Sequence, residues 1–446
     1  MGLQSRRGFL LTATGSLGMA LLAACSGPSP SAGPTSAPAA AGGSRKTVTF
    51  WGRQQFLPES NDYLAESVKL AGQKGGFDVS VQLFTNDEHP QKEVVAMESG
   101  VVPDITYTYA PALWDQNGYA LEVQSLYDEI GKSGGGWLDL ADGSSKTTSG
   151  KRIAVPMNNE PWFVHFRKDK FAEVGVSLPI KSWDEMMSAF QKVNRPDQGF
   201  YAFDGQMTEA DWVGNCLQFM WAFGGRLFDR EGTPTINTPQ NIAGVKAYTD
   251  LLKNKMMPAS VVSQKASGNN EAWLSGQVAG VSNPGSIVLA MRKDNPDLLK
   301  NTYLQAFPSQ AKPGTFVQVA GAATLIINKK SQYIDEAMQI ARMILAPDRY
   351  PTQLEKAGSY WFPIMKNYLS LPFFTQDEWN KEVTENIVPW TLAATSDTGL
   401  SPIFDDITIS ATNDMLQAIT VQGKSVEEGV KILADAADAA KAKFKL

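Results

Sequence analysis

Three short runs with strand character open the body of the chain: Thr47-Val48-Thr49-Phe50-Trp51, Asp78-Val79-Ser80-Val81-Gln82-Leu83-Phe84 and Val102-Pro103-Asp104-Ile105-Thr106-Tyr107. The first stops at Gly52, and the second alternates apolar and polar residues at the two-residue period of a strand. The stretch from Tyr63 to Leu70 between them has helical character. Strands separated by helices cannot close as hairpins, so they pair through crossovers in a mostly parallel α/β sheet. Helix starts are written further on. Ser182-Trp183-Asp184-Glu185 and Ser425-Val426-Glu427-Glu428 are capping boxes, and Thr238-Pro239 places a cap residue before proline at the first helical position. Ser331 precedes Ile334, Ala337, Ile340, Ala341 and Ile344 at helical spacing. With 446 residues the chain has room for two or three domains, and no internal repeat is visible.

Composition removes several function classes. A pI near 5.2 and a net charge of −6 leave no basic footprint for nucleic acid. Two cysteines and two histidines, without CxxC or HExxH, cannot build a metal cluster or a disulfide framework, so no metal and no cofactor are expected. Gly143 to Lys151 superficially resembles a phosphate loop, but Ser145 stands where the first glycine is needed. The eleven tryptophans remain to be explained.

The N-terminus reads as an address. Ser5-Arg6-Arg7-Gly8-Phe9-Leu10 resembles the twin-arginine export motif, with Leu11 where lysine often stands; a Sec signal carrying two arginines is the alternative. Gly8 to Ala24 is too short, and too interrupted by Gly and Thr, to span a bilayer. Leu22-Ala23-Ala24-Cys25 resembles the bacterial lipobox, which implies a signal peptide over 1–24 and lipid on Cys25. Residues 26–46 are dominated by Pro, Ser, Gly and Ala and cannot bury a core. Such a tether of about 20 residues spans roughly 25 Å. The expected location is the outer face of the cell membrane, or its periplasmic side, held by the lipid anchor.

A family resemblance runs along nearly the whole mature chain. Gly150-Lys151-Arg152-Ile153-Ala154-Val155-Pro156, Val164-His165-Phe166-Arg167-Lys168-Asp169-Lys170-Phe171, Ser182-Trp183-Asp184-Glu185, Gly224-Gly225-Arg226-Leu227-Phe228, Pro234-Thr235-Ile236-Asn237 and Ala272-Trp273-Leu274-Ser275-Gly276-Gln277-Val278-Ala279 follow in order. Together they resemble the extracellular solute-binding proteins of ABC importers, the group that includes maltose-binding protein. The resemblance implies an α/β, two-lobed periplasmic-binding-protein fold, type II-like, with a hinge and an interlobe ligand cleft. By analogy, lobe 1 holds 47–155 and 316–345, lobe 2 holds 161–308 and 349–446, and crossings lie near 156–160, 309–315 and 346–348. It implies a monomeric, non-enzymatic lipoprotein that captures a small solute, expected to be a carbohydrate, and delivers it to ABC permease subunits served by a separate ATPase.

Sugars offer an apolar face and a rim of hydroxyls, which suit aromatic rings and polar side chains respectively. Candidate ligand contacts are Trp51 and Arg53 after the first strand, Tyr109 and Trp114 after the third, and Glu160 and Trp162 after the first crossing. Further candidates are Asp211 and Trp212, Trp221, Asn283 and Ser286, and Tyr360 and Trp361. Asn283-Pro284-Gly285-Ser286 has Ser where the resembling family carries an aromatic, and Tyr360-Trp361-Phe362 offers a stacking platform instead. Trp51 packing under its loop, Trp114 capping a helix and Glu160 in a structural ion pair are the competing readings. The stripe Trp212, Cys216, Phe219, Met220 and Phe223 reads as core, with Cys216 an inert thiol. Trp137, Trp183, Trp379 and Trp390 read as structural. Two other functions stay open: a secreted carbohydrate-active enzyme using Glu160 and Asp211 as a carboxylate pair, and a surface binding or sensor lipoprotein without a transport role.

Overall fold

A computed structural model describes residues 46–86, 88–208, 211–265, 267–393, 395, 399–408 and 410–444, without the side chains of 211–213, 405 and 408. The expected signal peptide, Cys25 and all of the tether but Lys46 lie outside the described residues. Twelve strands are described: β1 Thr47–Arg53, β2 Asp78–Phe84, β3 Ile105–Thr108, β4 Val155–Pro156, β5 Glu160–Pro161, β6 Phe163–Arg167, β7 Gly280–Asn283, β8 Thr302–Gln305, β9 Phe307–Pro308, β10 Phe316–Gly321, β11 Thr324–Ile327 and β12 Thr391–Ala393. They form three sheets.

The first sheet has the order β2-β1-β3-β11-β4. β1 pairs in parallel with β2 and β3, as expected of strands joined by helices Pro58–Gly75 and Glu88–Ser99. β11 is antiparallel to both β3 and β4, because it re-enters this sheet from another one. Val48, Phe50, Ile105 and Leu325 are buried with Leu64 and Val68 of the first helix and Ile340 and Ile344 of helix Ile334–Ile344. The second sheet runs β12-β10-β5, with β9 paired to β10, and the third is the antiparallel trio β7-β6-β8. A separate core, including Phe166, Phe190, Phe203, Phe219 and Val245, gathers the helices Trp183–Val193, Asp211–Ala222 and Pro239–Lys253. The stripe of helix Asp211–Ala222 is core as expected: Cys216, Phe219 and Met220 are buried, and burial raises the Cys216 thiol to about 12.

Local signals placed helix ends well. Ser182 accepts the Glu185 N–H at 3.2 Å, Thr238 accepts that of Asn241 at 3.3 Å, and Ser425 and Glu428 cap each other reciprocally at 3.1 and 2.8 Å. Ser331 is different. Its hydroxyl donates to Asp104 at 2.5 Å and accepts the Tyr333 N–H, so the helix starts only at Ile334.

The chain passes from the first sheet to the second between Pro156 and Glu160. The second passage differs from expectation. Residues 309–315 are the loop of the β9–β10 hairpin, closed by the Ser309 N–H on the Thr315 carbonyl at 2.9 Å, and the chain changes sheets at Ala322–Ala323. Residues 346–348 also remain beside the first sheet's helices. Arg349 donates to Ser67 at 2.9 Å and Gln353 to Ser60 at 2.8 Å, tying helix Tyr350–Lys356 to helix Pro58–Gly75. The segment from 349 therefore begins on the lobe of the first sheet rather than on the other.

Candidate functional site

Residues alternate across β3. Tyr107, and Tyr109 just beyond the strand, share one side, whereas Thr106 and Thr108 share the other. On the tyrosine side lies a buried polar cluster. Arg53, at the end of β1, stacks its guanidinium 4.1 Å from the centre of the Tyr109 ring. It donates to the hydroxyls of Tyr109 at 3.1 Å and Tyr360 at 3.3 Å, and lies 4.0 Å from the Glu160 carboxylate. The Tyr109 hydroxyl donates to Glu160, and Asn158 donates to the same carboxylate oxygen at 2.7 Å. Gln55 donates to Tyr107. Burial opposes the charge on Arg53, yet the surrounding tyrosines and Glu160 hold its pKa above the ordinary value. Burial pushes the Tyr107 hydroxyl up to about 12 and raises those of Tyr109 and Tyr360 further, so all three keep their protons.

In front of this cluster lies a cavity of about 320 Å³. It is lined by Tyr109, Pro111 and Ser144, by Trp162, Gly214, Leu217 and residues 319–322 of the β10–β11 segment, and by Ala393, Thr395, Leu400 and Phe404. Trp162 follows β5 directly, and its indole lies over Gly214, where a β-carbon would come within 3.1 Å of the ring. Glycine there lets the helix backbone approach the indole plane.

Residues 58–350, about two-thirds of the chain, match the model of the bacterial extracellular solute-binding protein family. The chain belongs to that family. A probable ABC transporter-binding protein of Deinococcus radiodurans is 24% identical over 207 residues, 45% of this chain and 49% of that one. The chain thus spans about half the length of the curated relatives it matches. Among solved structures, an ABC transporter solute-binding protein of Thermotoga lettingae bound with alpha-D-tagatose is similar with a TM-score of 0.69 at 22% identity, covering 88% of this chain and 99% of that one. A sugar transporter of Arthrobacter chlorophenolicus with bound laminaribiose reaches a TM-score of 0.74 at 15% identity, over the same shares. The fold is the two-lobed periplasmic-binding-protein fold.

In this member of the family, the expected site residues separate into groups. Tyr109 and Trp162 line the cavity, and Arg53, Glu160 and Tyr360 form the polar cluster behind Tyr109. Trp114 is fully buried and donates to Glu93 at 3.0 Å, so it is a core residue. Trp221 is buried beneath Arg226, and Trp361 is buried edge-on against Tyr107. Trp51 is half-buried against Phe84 and does not line the cavity. Asn283 bonds Asn270 and accepts from Ser286 at 3.2 Å. The consequential residue of that turn is Gly285, where a β-carbon would sit 1.6 Å from the Ser359 carbonyl oxygen. The side chains of Asp211 and Trp212 lie outside the described residues. Among the tryptophans expected to be structural, Trp137 stacks on Tyr127, Trp183 and Trp379 are buried, and Trp390 is 38% exposed beside Phe316.

Sequence reasoning missed Ser144, Leu217, Thr395 and Phe404, which come from three distant segments without a motif. The small-residue run Ala320-Gly321-Ala322-Ala323 was a usable signal, because small side chains leave room for a ligand beside the backbone. Among the described residues, no cluster of His, Cys, Asp or Glu could hold a metal ion, and no helix is long and apolar enough to cross a membrane.

Proposed function

We propose that this protein captures a small carbohydrate between its lobes and delivers it to an ABC permease whose ATPase is a separate chain. The carrying observation is the cavity flanked by Tyr109 and Trp162, with the Arg53–Glu160–Tyr360 cluster fixing the tyrosine from behind. Aromatic rings suit the C–H face of a sugar, and a cavity of about 320 Å³ lies at the small end of ligand sites, which favours a small saccharide over a long chain. Family membership and the likeness to sugar-bound structures support the same reading. The passages near 157–159 and 322–323 are proposed as the hinge, and ligand held by both lobes would favour the closed arrangement by its differential affinity. The lipobox and export motif complete the picture of a monomer exported and anchored through Cys25 at the membrane surface.

A thermal-shift screen across mono- and disaccharides tests this. Ligand at 100 times its dissociation constant should stabilise the fold by about 2.7 kcal/mol. Chromatography of the same mixtures should show the sugar unchanged. A broad panel without any shift counts against carbohydrate capture, and turnover counts in favour of an enzyme.

A further inference from the structure

The cavity discriminates among saccharides, and this inference rests on the carbohydrate reading above. Its three side-chain hydroxyls are all committed as donors within the protein. Tyr109 donates to Glu160, Ser144 to the Leu140 carbonyl at 2.8 Å, and Thr395 to the Gly143 carbonyl at 2.7 Å. The Tyr109 hydroxyl also accepts from Arg53 at 3.1 Å, so the lone pairs left to accept from ligand hydroxyls are those of Ser144 and Thr395. The rest of the lining, with Trp162, Leu217, Leu400 and Phe404, is carbon-rich. A hydroxyl pressed against it would lose water without gaining a partner, at a cost of about 1–3 kcal/mol.

Charge adds a second constraint. Arg53 is the cation nearest Tyr109, and it is held behind the ring and compensated by Glu160. The segments that supply Gly214, Leu217, Ala393, Thr395, Leu400 and Phe404 contain no Lys or Arg between Arg195 and Arg226 or between Lys381 and Lys424, only acidic residues. The cations on the Ser144 segment, Lys146 and Arg152, are paired with Asp142, so a phosphate or carboxylate entering the cavity would shed its hydration and meet only cations already compensated.

We propose that the ligand is an uncharged glycoside with a small apolar aglycone. Its hydroxyls point at Ser144 and Thr395, and its aglycone lies against Trp162, Leu217 and Phe404.

Titration calorimetry on the purified chain tests this with free hexose, its phenyl glycoside and its 6-phosphate, each in the gluco, galacto and manno series. In the series that binds, the phenyl glycoside should bind about tenfold tighter than the free sugar, because the added ring buries carbon surface. The 6-phosphate should bind about a hundredfold more weakly than the free sugar. Phe404→Ser should weaken the phenyl glycoside about tenfold more than the free sugar, and Phe404→Leu, which keeps apolar packing on the second core, should weaken it less. Equal affinity for free sugar and phenyl glycoside, or undiminished affinity for the 6-phosphate, overturns the proposal and leaves carbohydrate capture standing. Silence from all three probes in every series, together with a silent saccharide screen, overturns both.

Discussion

Two buried glutamates flank β3, and they are held in different ways. Glu93 lies on the threonine side. It accepts from Thr106 at 3.3 Å, Thr108 at 2.9 Å and Trp114 at 3.0 Å, with His89 at 3.8 Å. All these partners come from one stretch of 26 residues, 89–114, within the first lobe. Glu160 lies on the tyrosine side. Its cluster draws on Arg53, Tyr109, Asn158 and Tyr360, from segments far apart in the chain. A carboxylate held by local partners stabilises one unit, whatever the lobes do. A carboxylate held by distant segments at a sheet-to-sheet passage couples to their arrangement. The two-residue period of one short strand lets it serve both.

The sharpest break in that comparison is Glu93→Ala. It strands two threonine hydroxyls and an indole N–H in the core, so unfolding free energy should fall by about 3–5 kcal/mol in denaturant titrations. Ligand affinity of the folded fraction should stay unchanged; a loss under about 1 kcal/mol would make the Glu93 cluster incidental.

Next comes pH. Both histidines of the chain are buried and neutral in the fold. Burial, aided by the charge of Arg53, lowers His89 to about 4, and burial lowers His165 to about 3. In the unfolded chain each takes up a proton near 6.5. Stability should therefore fall as pH drops below about 6.5 and level off for these groups near their folded values, a change on the order of a few kcal/mol. Melting temperatures across that window check it, and His89→Gln should flatten the Glu93 side's share of the slope. An unchanged slope in that variant would refute the assignment.

Glu160→Gln sits in the middle. The amide can still accept from Tyr109, but the buried Arg53 loses its counter-charge, so stability should fall by about 2 kcal/mol. Affinity for whichever saccharide emerges from the screen should drop about tenfold, because the Tyr109 hydroxyl loses its charged acceptor. Unchanged affinity would erase the contrast with Glu93. The smallest effect belongs to Trp114→Phe, which removes one hydrogen bond to Glu93 and should cost about 1 kcal/mol without changing ligand affinity. Any change in ligand selectivity there would return Trp114 to the site.

The part of the fold legible in sequence is the part written locally. The alternation of strands and helices, the caps at Ser182, Thr238 and Ser425, and the core stripe containing Cys216 depend on neighbours a few residues away. The site was legible only in outline. Tyr109, Trp162, Arg53 and Glu160 come together, whereas Trp114, Trp221 and Trp361 are buried elsewhere. A tryptophan's identity does not say which side of its element faces the core. The second passage was misplaced because a hairpin loop and a crossing segment share the same polar, Gly-Pro composition at 309–315, and only strand pairing distinguishes them.

The sequence by itself determined the class of fold and the kinship of the chain, since these rest on local period and ordered motifs. The tertiary structure alone decided which rings line the cavity, which glutamate couples distant segments, and that Ser144, Thr395 and Phe404 complete the lining. Those are contacts between residues hundreds of positions apart. They exist only where buried apolar surface and paired hydrogen bonds offset the entropy of bringing such segments together.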